Sequence, residues 1–182
     1  LTALAQGAIG TLEVAVVCAC AGIAIGIIMR TGLGFMLTNV LIELSHGVLP
    51  ILMILTMITS TVLGMGLPTS ACYIIVAVLI APAMIKLGVL PMAAHLFAFY
   101  YATLSAITPP VALAAYAASG IAGAPPMRTG IQACRFGITG FIVPYMFVYG
   151  PSLLLQGNPA EILTACISAT FGVYGVSVAM MG

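Results

Sequence analysis

Two stretches of this sequence could free backbone oxygens and set hydroxyls beside them. In Gly64-Met65-Gly66-Leu67-Pro68-Thr69-Ser70, two glycines and a proline interrupt an apolar run, lowering helix propensity and removing one backbone donor. The break offers the carbonyls of Gly64, Met65, Gly66 and Leu67, with the hydroxyls of Thr69 and Ser70 at the start of the run that follows. Ser105-Ala106-Ile107-Thr108-Pro109-Pro110 repeats the arrangement. It supplies the carbonyls of residues 105–107, the Thr108 hydroxyl and a helix start at Pro109-Pro110-Val111, proline being a normal opening residue. Neutral cages of carbonyl and hydroxyl oxygen suit a monovalent cation, whereas hard divalent ions recruit carboxylates. With no aspartate in the chain, Na⁺ is the ion these oxygens fit, and helix N-termini at the same breaks favour an anionic solute. One such break alone reads equally well as a bent helix or a loop; two in a chain this short point to a site.

The remaining reactive side chains carry less. Glu43 and His46 form an E-x-x-H pair, the spacing of di-iron sites, but those need a second copy and further carboxylates. The pair reads instead as interfacial and hydrogen-bonded. His95, in the aromatic run Ala94 to Tyr101, reads as a buried, hydrogen-bonded structural histidine. Cys18-x-Cys20 lacks the partner ligands of a zinc site, and the five cysteines are odd in number and sit in apolar runs, where they pack as small hydrophobes. The three glutamates, Glu13, Glu43 and Glu161, are scattered, so no nucleophile–histidine–acid set has a third member. A Walker-type glycine loop is also missing. Neither an enzyme nor an ATP-driven pump is encoded in these residues.

The elements that must position the two breaks belong in a membrane. Hydrophobic residues make up 63% of the 182 and charged residues only 4%, against roughly 25% charged in soluble domains, and the mean hydropathy is +1.30. The fold class is therefore an all-α polytopic membrane protein. A net charge of +1 leaves no phosphate-neutralising surface, which excludes a nucleic-acid binder. Apolar runs predict helices at Leu12–Met29, Val48–Leu63, Ala71–Ile85, Leu90–Ala106, Val111–Ala122, Phe136–Tyr149 and Ile162–Met180. The run Val48–Leu63 covers only about 24 Å, less than the roughly 30 Å hydrocarbon core. Interrupted-helix units are thus expected at about 48–86 and 90–123. Placing Arg30, Lys86, Arg128 and Arg135 on the cytoplasmic side would turn Glu13 and the loop Gly150 to Pro159 outward. With no initiator methionine and no basic n-region, Leu1 does not begin a signal peptide, and the chain is expected to be part of a longer protein.

LGMGLPTSACYII (Leu63 to Ile75) and AAHLFAFYYATLSAITPPVALAAYAASGIAGA (Ala93 to Ala124) together resemble the large membrane subunit of tripartite ATP-independent periplasmic (TRAP) transporters. The likeness is greatest to the fused permeases of the TAXI subgroup, and extends through RTGLG (Arg30 to Gly34) and FIVPYMFVYGPSLLL (Phe141 to Leu155). This resemblance implies one membrane domain over residues 1–182, the C-terminal half of an elevator-type secondary transporter with re-entrant hairpins and broken helices. It implies Na⁺ as coupling ion and no other cofactor. It further implies a periplasmic substrate-binding protein that delivers an organic anion such as a dicarboxylate, a small membrane subunit or its fused equivalent, and residence in the bilayer of a bacterial or archaeal cytoplasmic (inner) membrane. Carried over by residue, the two breaks match the family's ion and solute motifs. Gly64, Gly66, Thr69, Ser105 and Thr108 then stand at Na⁺, and Pro68, Thr69, Ser70, Thr108, Pro109 and Pro110 at the solute. Many dicarboxylate-type relatives carry an aspartate in the first motif, where this chain has Leu67-Pro68. The other reading is a non-transporting scaffold subunit whose breaks only shape helix packing.

Overall fold

The computed structural model describes residues 2–181, apart from the side chains of Met181 and of certain residues towards the N-terminal end, Glu13 among them. Helices dominate, and no strand occurs among the described residues. The first helix, α1 (Thr2–Thr31), contains the expected Leu12–Met29 span. It stops at Gly32, whose φ of 71° costs glycine little. From there α2 (Leu33–Leu44) departs at 71° to the Cys18–Thr31 segment.

The two breaks lie in the middle of the chain. α3 (Leu49–Gly64) carries proline in its first turn, and its 16 residues rise about 24 Å, as the short apolar run predicts. After a turn at residues 65–68 come α4 (Thr69–Leu79) and α5 (Ala81–Lys86), which together are long and apolar enough to cross a membrane. α6 (Pro91–Leu104) tightens into a 3₁₀ turn (Ser105–Ile107), and beyond the diproline α7 (Leu113–Ala122) resumes. Next is α8 (Pro126–Phe136), where the sequence predicts only a turn and two bases. Its polar face, with Arg128 and Arg135, keeps it out of any search for apolar runs. α9 (Ile138–Tyr149), with Pro144 inside it, continues α8 into a second candidate span, and α10 (Pro159–Met181) supplies a third. A 3₁₀ turn (Pro151–Leu154) occupies part of the expected loop.

The core sits where α3, α4, α6 and α9 meet. Leu52, Met53, Val76, Ile80, Met84, Phe97 and Tyr101 are fully buried there. Two tie points set the direction of α3 against α6. The Tyr145 hydroxyl of α9 donates to Met57 Sδ (3.6 Å) while its ring packs edge-on to Phe97 (5.3 Å). One end further on, Gly64 lies against Ala102 and Ser105. The two helices therefore run in the same direction, which requires the intervening α4 to turn back. They meet through small residues at four-residue spacing: Thr56, Ser60 and Gly64 on α3, and Ala94, Ala98 and Ala102 on α6, all buried. Such stripes let helix backbones approach closely where lipid removes the hydrophobic drive to associate. Large apolar side chains elsewhere point outward, including Ile23, Phe35, Phe171 and Tyr174, as a lipid-facing surface demands.

Candidate functional site

At the first break the chain makes a hairpin tip. The Met65 N–H donates to the Val62 carbonyl (3.3 Å) and the Leu67 N–H to that of Gly64 (3.4 Å), and α4 then begins with Cys72 N–H on the Pro68 carbonyl (3.0 Å). Among the described residues, the carbonyls of Met65, Gly66 and Leu67 accept no backbone hydrogen bond. Gly66 makes the turn possible with φ +81° and open space around it. Gly64 is needed for a different reason. A Cβ there would stand 2.5 Å from the Ala102 carbonyl oxygen and 2.8 Å from Ser105 Oγ, so this residue sets how near the tip comes to α6.

The second break follows from the diproline. Pro109 and Pro110 have no N–H to return to the preceding turn, and the Ala106 and Ile107 carbonyls accept no backbone bond among the described residues. Hydroxyls fill part of the gap. Ser105 Oγ donates to the Ala102 carbonyl (2.6 Å) and Thr108 Oγ1 to that of Leu104 (2.8 Å). Each spends its proton on the helix end and keeps oxygen lone pairs free. The chain re-enters α7 through Ala112, a buried non-glycine residue at φ 29°. Tyr116 ties the loop down by donating its hydroxyl to the Pro110 carbonyl (2.6 Å). From outside, α8 and α9 press on the break at two more glycines. A Cβ on Gly130 would meet Tyr116 at 3.2 Å and Pro109 at 3.4 Å, and one on Gly137 would meet Ile107 at 2.5 Å. Sequence reasoning passed over both glycines, because their use depends on α8, the helix it did not expect.

The two breaks come together. A cavity of about 30 Å³ lies between them, lined by Gly64, Gly66, Leu67 and Thr69 from the tip and by Ala102, Thr103, Ser105 and Ala106 from the end of α6, with Val111 and Leu113 beyond. A water needs some 10–15 Å³ on this measure, so the space suits one small hydrated or partly stripped ion. Of the sequence-derived candidates, Gly64, Gly66, Thr69 and Ser105 line it. Thr108 stands one residue beyond the 3₁₀ turn, half-buried and outside the lining. Pro68 and Ser70 are exposed at the tip, and the Ser70 hydroxyl lies 3.6 Å from Cys18 Sγ of α1. Pro109 faces Gly130, while Pro110 is exposed and holds the Tyr116 hydroxyl. Ala106, whose carbonyl the second break supplies, also lines it, whereas Ala102 and Thr103 are lining residues the sequence does not single out, since they lie inside the apolar run before the break. No acid lines the space, and no cluster of three His, Cys, Asp or Glu occurs among the described residues.

The other reactive residues lie elsewhere. Glu43 and His46 are both exposed at the end of α2, joined through the His46 N–H to the Glu43 carbonyl (3.0 Å) and by no side-chain hydrogen bond. His95 is half-buried, with Nδ1 3.3 Å from the Tyr73 hydroxyl across α4 and α6.

Apolar helices long enough to span a bilayer, beside shorter ones interrupted so that uncharged oxygens meet, define a polytopic membrane protein of the kind that moves solutes. Residues 1–162 match the family described as Tripartite ATP-independent periplasmic transporter, DctM component. The chain belongs to that family, as the membrane component of a TRAP transporter. No curated protein and no solved structure matches it.

Proposed function

We propose that this chain is the C-terminal half of a Na⁺-coupled permease, of the fused TAXI type, that imports organic anions such as dicarboxylates across the cytoplasmic membrane. A periplasmic binding protein delivers the solute, and a small membrane subunit or its fused equivalent completes the complex. One observation carries the reading: the tip of the α3–α4 hairpin and the break after α6 share a cavity of about 30 Å³ lined by neutral oxygens. Carbonyls freed by glycine and proline, with hydroxyls whose protons are already donated inward, offer a single positive charge the ligands it loses on leaving water. Solute binds beside the ion, at the N-terminal ends of α4 and α7, where first-turn N–H groups point out and the helix dipole favours an anion. Thr69 and Ser70 open α4 on that side, and Pro109 and Pro110 hold the approach to α7.

The test is uptake of labelled organic anion by the full permease in proteoliposomes, supplied with its binding protein. An inward Na⁺ gradient should drive accumulation, and the same gradient of K⁺ should not. Accumulation that follows a proton gradient and ignores Na⁺ would remove the coupling assignment. A complex that assembles but moves no solute under any gradient would favour the scaffold reading.

A further inference from the structure

A second cavity lies away from the breaks, in the elbow where α1 bends into α2 beside α4 and α5. It measures about 270 Å³ and is walled by Ile28, Met29, Phe35, Val78 and Pro82, with Lys86 at one end. Gly34 and Thr38 complete the wall, the Thr38 hydroxyl turning away to donate to the Leu79 carbonyl (3.4 Å), so the trough is mainly apolar and its single charge is positive. Lys86 is exposed, and its Nζ donates to Asn39 Oδ1 at 3.2 Å. That partner is a neutral amide, so the ammonium keeps its charge uncompensated and has two further donors free. No carboxylate pairs with it among the described residues.

The position of this lysine matters as much as its charge. Lys86 closes the candidate span Thr69–Lys86, and Arg30 stands next to the lining residue Met29 at the end of α1. Lys86 therefore lies where a span ends, at headgroup depth, and Arg30 stands at the bend between α1 and α2. From Lys86 back to Val78 the wall follows about 12 Å of helix, directed away from that boundary into the apolar layer. A basic end at headgroup level and an apolar trough below it match the two halves of one molecule. We infer that this groove binds an anionic phospholipid, with its phosphate on Lys86 and the upper part of one acyl chain along Ile28, Phe35 and Val78. Charge complementarity selects the headgroup, because a zwitterionic lipid would bring a second cation to a site that offers no acid. A small dissolved anion would use Lys86 and leave the trough empty.

The experiment is native mass spectrometry on the full permease, delipidated in detergent and titrated with phosphatidylglycerol or with phosphatidylcholine of the same acyl chains. Wild type should retain phosphatidylglycerol about fivefold better. Lys86→Gln should lose that preference, and Lys86→Arg should keep it. Gly34→Leu projects a side chain towards Ile28 and Leu79, where a Cβ has ordinary 3.8–4.0 Å contacts, and should lower retention of both lipids. Monodisperse elution of each variant shows that it is folded. Equal retention of the two lipids by wild type, or a preference that survives Lys86→Gln, overturns the assignment. So does displacement of the phosphatidylglycerol signal by millimolar inorganic phosphate, which would mean a site for the anion alone. Absence of any retained lipid in wild type would mean that protein covers the groove, and overturns it as well.

Discussion

Gly64 of α3 and Ser105 of the following 3₁₀ turn face each other so closely that a methyl group on the glycine would stand 2.8 Å from the serine oxygen. The pair joins the two interrupted helices, and both residues line the cavity between them. Because the Ala102 carbonyl is nearer still, at 2.5 Å from the same point, the contact is limited by backbone, which cannot rotate away as a side chain could.

Gly64→Ala should therefore separate the hairpin tip from α6, at a cost of about 1–3 kcal/mol for overpacking. Thermal unfolding of the detergent-solubilised permease should fall by several degrees, and uptake should fall with it. Gly66→Ala should act differently, because its added carbon meets nothing within 4 Å and the penalty is the φ of +81° alone. That penalty is about 1–2 kcal/mol, confined to the turn. An unchanged melting temperature in Gly64→Ala would show that the tip does not seat on Ala102.

The same helix pair contains two hydroxyls that gain nothing from being polar. Thr56 Oγ1 and Ser60 Oγ are buried with no hydrogen-bond partner, whereas nearby Thr59 and Thr61 donate to carbonyls four residues back at 2.8 Å. A buried unsatisfied polar group costs about 1–3 kcal/mol, and an apolar group of the same shape removes that cost. Thr56→Val and Ser60→Ala should be neutral or stabilising in thermal unfolding, singly and together. A loss of stability of 1 kcal/mol or more would mean that these hydroxyls do find a partner, such as an ordered water.

Much of this architecture is legible in the sequence, for a physical reason. In lipid every backbone polar group must be satisfied internally, so long apolar runs have little choice but to become helices, and Gly-x-Gly-x-Pro or a diproline has little choice but to interrupt them. Both breaks fall where glycine and proline place them, at residues 65–68 and 108–112. The parts that sequence hides depend on contacts between elements. α8 has the polar composition of a connection, yet it packs Gly130 on Pro109 and Tyr116. Ala102 contributes a carbonyl that any residue would supply. The Glu43–His46 spacing promises a side-chain pair, but His46 adopts φ 50° as α2 unwinds, and the two side chains do not bond. The meeting of the two breaks in one cavity is a tertiary fact. It follows from α3 and α6 running side by side, and that depends on the small-residue stripes.

The division of labour between the two hydroxyls of the second break gives the last test. Ser105 is buried and lines the cavity, while Thr108 stands outside it, yet both donate their protons to carbonyls of α6, at 2.6 and 2.8 Å. If the cavity holds the ion, Ser105 is the hydroxyl that touches it in this conformation. Ser105→Ala removes that oxygen without adding bulk, and should raise the Na⁺ concentration for half-maximal uptake about tenfold, the equivalent of roughly 1.4 kcal/mol, while its lost bond to the Ala102 carbonyl costs about 1 kcal/mol of stability. Thr108→Val loses its bond to the Leu104 carbonyl, worth about 1 kcal/mol. It should lower stability while moving the Na⁺ dependence less than Ser105→Ala does. Thr108→Ser, which restores the hydroxyl, should recover most of the loss. A larger Na⁺ shift in Thr108→Val than in Ser105→Ala would place the ion on the α7 side of the break, nearer Pro109 and Pro110. The solute would then belong at the hairpin tip, beside Thr69 and Ser70.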